Sequence, residues 1–138
     1  MNEFLLSSEN MWNDINQIFG DRGGVYILKS YSDNDTKMHK SICRLLKNDE
    51  QGILYIGKAN KFLNRVIELS KSIAPDYKTT SHECGVRYKN HHSIQSKFPY
   101  GSLCVELIQS DTPTKEEARL LDNYLIMYGE LPPLNRNG

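Results

Sequence analysis

Ile53-Leu54-Tyr55-Ile56-Gly57-Lys58-Ala59-Asn60-Lys61-Phe62-Leu63-Asn64-Arg65 is the stretch on which the fold turns. Its first four residues are aliphatic, β-branched or aromatic and, with Gly57, predict a short strand. Asn60 is a capping type of residue, and beyond it Phe62, Leu63, Val66, Ile67 and Ser70 share one helical stripe that must end before Pro75. The other face of that helix carries Lys61, Asn64 and Glu68.

Working outward, Gly24-Val25-Tyr26-Ile27-Leu28-Lys29-Ser30-Tyr31 follows an Asp-Arg-Gly-Gly turn and predicts a second strand, closed by the polar run 32–36. Upstream, Met11, Trp12, Ile15, Ile18 and Phe19 recur at helical spacing after Ser8, with Gly20 as the stop, so a helix is expected over 10–19. Residues 37–47 place Met38, Ile42 and Leu45/Leu46 on one helical face and predict a short helix, followed by a turn at 48–52. Residues 76–99 are polar and rich in His and Lys, which predicts mostly loop with a short helix around 93–97; loops of that length are functional or mobile. Leu103–Ile108 predicts a third strand. Thr114-Lys115-Glu116-Glu117 fits a capping box opening a last helix, with Ala118, Leu121, Leu125 and Tyr128 as its buried stripe and Gly129 and Pro132-Pro133 as its end.

The chain has 138 residues and a mass of 15.9 kDa. That length suits one domain over 1–138, with an N-terminal helix within 1–22 and inserts at 32–52 and 76–100, and the three strands and several helices make it α+β. A domain of this size buries about two-thirds of its unfolded surface without help from disulfides or metal. Three widely spaced cysteines, Cys43, Cys84 and Cys104, argue against a disulfide framework and for a reducing compartment. No apolar run approaches membrane length, and Met1–Asn10 has no basic-then-apolar leader pattern, so a soluble, cytoplasmic or intracellular protein is expected, with no membrane partner.

Seventeen bases balance seventeen acids, which excludes a chain that coats nucleic acid by net charge alone. The distribution is uneven. Lys58–Lys97 carries eight bases against three acids, together with His82, His91 and His92, whereas Val105–Gly138 carries six acids against Lys115, Arg119 and Arg136. A basic middle and an acidic end suit a polyanion held near a metal-binding carboxylate; unevenly scattered solvated charge gives the same count.

Gly24-Val25-Tyr26, then Tyr55-Ile56-Gly57-Lys58, then Arg65 ten residues after Tyr55, an acidic residue in the late helix and Asn135 beyond it together resemble the GIY-YIG nuclease family over residues 24–135. The resemblance implies a small three-stranded antiparallel sheet flanked by helices. It also implies cleavage of phosphodiester bonds with one divalent ion, Mg²⁺ or Mn²⁺. It assigns Tyr55 as acceptor of a proton from the attacking water, and Lys58 as the positive charge that favours the phenolate. Tyr26 is its hydrogen-bonding partner, Arg65 the clamp on the scissile phosphate, and Asn135 a brace. An ordinary phenol ionises near pH ~10, so Tyr55 needs such help. A guanidinium grips a phosphate at two points, as Lys does not.

Two departures from the family stand out. The late-helix Glu is replaced by Asp122, a methylene shorter, as the expected metal ligand; Glu117, about 140° away around the helix and accounted for by the capping box, is the runner-up. Leu69 stands four residues after Arg65, where relatives carry His or Tyr. Lys61 on the preceding helix and, in the 76–99 segment, Arg87, Lys89, His91 and His92 are the expected substrate contacts. Tyr77, Tyr88 and Tyr100 interleave as stacking surfaces, and His91 or His92 is placed to replace the group lost at Leu69. His82, Cys84, His91 and His92 have no standard zinc spacing.

The expected function is therefore a divalent-metal-dependent DNA endonuclease of restriction or host-defence type, acting as a homodimer. A structure-selective repair nuclease working with a partner protein is the second possibility. A different class stays open: a catalytically weakened module that binds nucleic acid or a protein. The discriminator is geometric. Asp122 facing one cleft with Arg65 and Tyr55 favours the enzyme, and Asp122 facing solvent favours the module.

Overall fold

β-branched and aromatic residues fill Gly24–Asp33, and in the computed structural model this strand is buried from Gly24 to Tyr31, the signature of a central strand covered on both faces. The structure describes residues 2–75 and 82–135. In chain order the elements are β1 (Glu3–Leu5), α1 (Met11–Phe19), β2 (Gly24–Asp33), β3 (Met38–His39), β4 (Ile42–Cys43), β5 (Asn48–Asp49) and β6 (Ile53–Ala59). There follow α2 (Phe62–Ile73), α3 (Glu83–Asn90), α4 (His92–Lys97), a 3-10 turn at Tyr100–Ser102, β7 (Leu103–Gln109) and α5 (Pro113–Tyr128). The chain is α+β.

The three expected strands, β2, β6 and β7, form the centre of an antiparallel sheet, but the sheet has five strands rather than three. β2 pairs with β6 from Gly24↔Ala59 to Lys29↔Ile53, and with β7 from Gly24↔Gln109 to Ser30↔Leu103. β1 adds outside β7, and β3 pairs with the far end of β2. Alternation along β2 sends Tyr26 and Leu28 toward α1, α2 and α3, where Met11, Ile15, Phe62, Val66, Leu69, Cys84 and Tyr88 complete the main core. Val25 and Ile27 point the other way and, with Ile56, meet Leu120 and Leu121 of α5. Helices thus cover both faces.

Four expectations fail here. Residues 37–47 are not helical: Met38–His39 extends the sheet and Ile42–Cys43 pairs with Asn48–Asp49. Of the apolar residues behind the helical reading only Ile42 is buried; Met38, Leu45 and Leu46 are exposed. What orders the segment is the buried Asp49, whose carboxylate accepts hydrogen bonds from the N–H groups of Gln51, Gly52 and Ile53 and from the Tyr124 hydroxyl. Second, α2 begins one residue later than expected, with Lys61 rather than Asn60 at the cap. Third, the loop expected over 76–99 contains a full helix, α3, as well as the expected short one; residues 76–81, including Tyr77, lie outside the described residues, as does Arg136. Fourth, no capping box forms on α5, which starts at Pro113 with Thr112 at its cap. Its inward stripe is Leu120, Leu121 and Tyr124, while Ala118 and Leu125 face outward.

Candidate functional site

Tyr26 and Tyr55 lie on neighbouring strands, and antiparallel pairing places Tyr26 opposite Gly57 and leaves Tyr26 diagonal to Tyr55 on the same face. Their rings lie 5.9 Å apart and cross over Gly57. A Cβ on Gly57 would sit 2.5 Å from the Tyr26 ring and 2.7 Å from that of Tyr55, so glycine here is a condition of the tyrosine pair. A third ring completes a triangle: His82, at the N-terminus of α3, lies 6.0 Å from Tyr26 and 5.8 Å from Tyr55.

The pair forms one end of an open cleft of about 730 Å³, lined also by Lys58, Asn60, Lys61, Asn64, Arg65, Glu68, Thr114 and Glu117. β6 supplies Tyr55 and Lys58, the first turns of α2 supply Asn64 and Arg65, and the first turns of α5 supply Thr114 and Glu117. Lys58 donates to the Thr114 hydroxyl at 3.3 Å, the contact that takes Thr114 away from any capping role. Arg65 donates to Glu68 at 2.7 Å, and its guanidinium is also a hydrogen-bonding neighbour of the Tyr26 hydroxyl.

Burial sets the protonation of the site. It pushes the Tyr26 phenol far up, with the neighbouring Tyr55 adding to the effect. Burial and the Cys84 thiol also raise Tyr55, while a hydrogen bond from Tyr26 and the charge of Arg65 pull it back. Burial disfavours the charge on Arg65, but Tyr26 and Glu68 outweigh it and hold the guanidinium above its usual range. Glu117 is raised by burial and lowered by Lys58. His82 is pushed down to about 3 by burial and by the charges of Arg65 and Arg87, so the ring is neutral at ordinary pH.

The expected site residues divide sharply. Tyr26, Tyr55, Lys58, Lys61, Arg65 and Glu117 share the cleft. Asp122 does not: it is exposed on α5 and takes no part in the cleft lining. The reason is the phase of α5, which is set by the inward packing of Leu120, Leu121 and Tyr124 and leaves Asp122 on the exposed side. Asn135 also lies outside the cleft, on the free edge of β6, where its side chain accepts from Ile56 N–H and donates to Ile56 C=O, both at 3.0 Å. It braces the strand between Tyr55 and Gly57 as a short surrogate of a pairing strand.

The basic segment does not reach the cleft. Arg87 is tied to Glu83 and to the Leu134 carbonyl, Lys89 lies on α3, and His91 and His92 are exposed where α3 meets α4. None of these lines the cleft. Tyr88 donates to the Phe98 carbonyl and Tyr100 to that of Leu6, so both are structural rather than stacking surfaces. Cys84 is buried with its thiol pushed up, and His82 Nδ1 accepts from Cys84 N–H, which leaves no zinc set there. Among the described residues the one other cluster of metal-ligating types is Glu3, His39 and Cys104. It is already neutralised by the buried Lys29, 3.5 Å from Glu3 and 2.7 Å from Glu106, and by Tyr31, while burial raises the Cys104 thiol to about 12.

Sequence reasoning missed His82, which it weighed for zinc and as part of a polar, basic segment; its partners, Ser72 and Tyr26, lie 10 and 56 residues away and leave no local signal. No family model, curated protein or solved structure matches this chain.

Proposed function

We propose that the cleft hydrolyses a phosphodiester bond with the help of one divalent cation, duplex DNA being the first substrate to try, in the manner of the GIY-YIG nucleases the sequence resembles. The observation that carries this reading is the convergence of Tyr55, Arg65 and Glu117, from three separate elements, on one open cleft of about 730 Å³. The donor set fits a hard ion: of the two carboxylates in the cleft Glu68 is engaged by Arg65, which leaves Glu117, and one carboxylate with open water-accessible space and a phosphate is what Mg²⁺ takes, since it keeps most of its waters. Glu117 would hold it, and no Cys or His competes at that position. When bound, the ion supplies polarisation of the phosphate and stabilisation of the leaving oxygen.

The remaining work falls to the chain itself. Arg65, held by Glu68 and Tyr26, presents a fixed guanidinium to the phosphate as charge grows on its oxygens. Tyr55 accepts the proton of the attacking water. The Tyr26 hydrogen bond and the Arg65 charge favour the phenolate that takes this proton, against the cost of its burial, and the transfer leaves Tyr55 as the neutral phenol. Lys58, anchored on Thr114, adds positive charge at the cleft wall. None of these groups uses a ribose 2′-hydroxyl, so DNA suffices.

One observation favours the binding-module reading: Asp122, at the position the resemblance gives to the metal ligand, faces solvent. The test separates the two. Purified protein is incubated with supercoiled plasmid in Mg²⁺, in Mn²⁺ and in EDTA, alongside Arg65→Ala, Glu117→Gln and Asp122→Asn. Nicking that needs metal, falls at least about 100-fold in Arg65→Ala and Glu117→Gln, and survives in Asp122→Asn is the expected result. No nicking by any form, with DNA binding retained, would give the cleft to the module.

A further inference from the structure

The buried His82 is accounted for neither by a metal nor by contact with substrate. It is wholly buried, and each of its polar contacts is specified. Its N–H donates to Ser72 Oγ at 3.2 Å, its Nδ1 accepts from Cys84 N–H at 3.1 Å, and its Nε2 lies 2.7 Å from the Tyr26 hydroxyl. α3 can deliver it there because Gly85 has no Cβ; one would lie 2.2 Å from the Ser72 Cβ of α2.

These contacts determine where the protons are. A neutral imidazole carries one N–H, and a nitrogen that accepts from a backbone amide cannot also carry it. With Nδ1 accepting from Cys84, the proton sits on Nε2, and His82 donates to Tyr26. Accepting from His82, the Tyr26 hydroxyl does not spend its own hydrogen on the imidazole, and that hydrogen is left for the neighbouring Tyr55, whose ring lies 5.9 Å away across Gly57.

We propose that His82 is a positioning residue that fixes the direction of a hydrogen-bond chain, His82 to Tyr26 to Tyr55, so that Tyr26 always donates to the Tyr55 oxygen and the Tyr55 proton faces the cleft. Its effect on cleavage rests on the nuclease reading above; the direction of the chain does not. The group that Leu69 fails to supply from α2 is thus provided from the cap of α3.

His82 is also the N-cap of α3, so the test must separate capping from positioning. His82→Asn keeps an oxygen where Nδ1 accepts from Cys84 and is a favourable cap, but it is too short to reach Tyr26. His82→Gln restores an N–H donor at the reach of Nε2. In the intact chain, ¹⁵N NMR of His82 at neutral pH is expected to show a protonated Nε2 and an unprotonated Nδ1. On plasmid, H82N is expected to lose about 10- to 100-fold in kcat with KM within about twofold, and H82Q to recover most of the loss. Should the label show Nδ1–H, or should H82N cut like the parent, or H82N and H82Q fall equally, the proposal is overturned. If the parent cuts nothing, the nuclease reading fails, and the NMR result alone still decides the direction of the chain.

Discussion

Tyr55 and His82 lie within the same triangle of rings, yet burial moves their ionisation in opposite directions, because one is charged when deprotonated and the other when protonated. Each shift carries a pH signature. In the proposed hydrolysis Tyr55 works as the phenolate, and its ionisation is held above the ordinary phenol range. The fraction in the active form therefore grows with pH throughout the neutral range, and kcat/KM with Mg²⁺ should climb about tenfold per pH unit from pH 6 to 9. A plateau below pH 7 would remove Tyr55 as the base. His82 has a folded pKa of about 3, below its unfolded value, so the unfolded chain takes up a proton first as pH falls. The stability it contributes is complete above about pH 6.5 and declines by about 1.4 kcal/mol per pH unit below that. Urea unfolding of parent and His82→Asn at pH 7, 6, 5 and 4 should show the parent losing stability faster by that slope, since the carboxylates common to both cancel. At this scale the resemblance carried by order and spacing singles out Tyr26, Tyr55, Lys58 and Arg65, and the fold brings all four to one cleft. Asp122 was set ahead of Glu117 because Glu117 had been assigned to a cap that Thr112 and Pro113 pre-empt, and in the fold Glu117 lines the cleft while Asp122 does not.

At the scale of elements, legibility followed how far an element's cause lies from it in sequence. β2, β6 and β7 are buried or half-buried over most of their length, so their apolar runs announce them. α5 has Leu120, Leu121, Tyr124, Leu125, Ile126, Met127 and Tyr128 spread around its circumference, so periodicity shows a helix without fixing which side faces inward. The 37–47 segment is ordered by Asp49 reaching Tyr124, 75 residues on, and α3 by Gly85 closing on Ser72; neither contact leaves a mark within a local window. Asn135 shows the same long reach with a functional consequence. β6 is an edge strand at Ile56, and the carboxamide of Asn135 occupies both of that residue's outward backbone groups. Asn135→Ala should cost about 1–3 kcal/mol and, more specifically, speed amide exchange at Ile56 while leaving the β2–β7 amides protected. Uniform acceleration across the sheet would instead make the tail a general clamp rather than a brace for the tyrosine strand.

Over the whole molecule, the charge balance limits how the cleft can hold a polyanion. The chain is neutral overall, and the basic residues of α3 and its neighbour lie away from the cleft, so they do not add to its local charge. Within the lining, Lys58, Lys61 and Arg65 face Glu68 and Glu117. Arg65 shares its charge with Glu68, while Lys61 is only loosely paired, its Nζ 4.0 Å from Asp21 at an exposed site. Three cations can neutralise about three phosphates, and each releases counterions, so the logarithm of DNA affinity should fall with the logarithm of salt with a slope of about −3. A chain that used the segment from Arg87 to Lys97 as well would give a slope nearer −6 by the same count. Fluorescence anisotropy of a labelled duplex from 50 to 200 mM KCl in Ca²⁺, a larger and more loosely coordinated hard ion than Mg²⁺, distinguishes the two. Lys61→Ala should shallow the slope by about one, whereas Arg87→Ala should leave it unchanged, because the Arg87 guanidinium is already committed to Glu83 and the Leu134 carbonyl. A steeper slope that responds to Arg87 would place the nucleic acid across α3 and move the binding surface off the cleft.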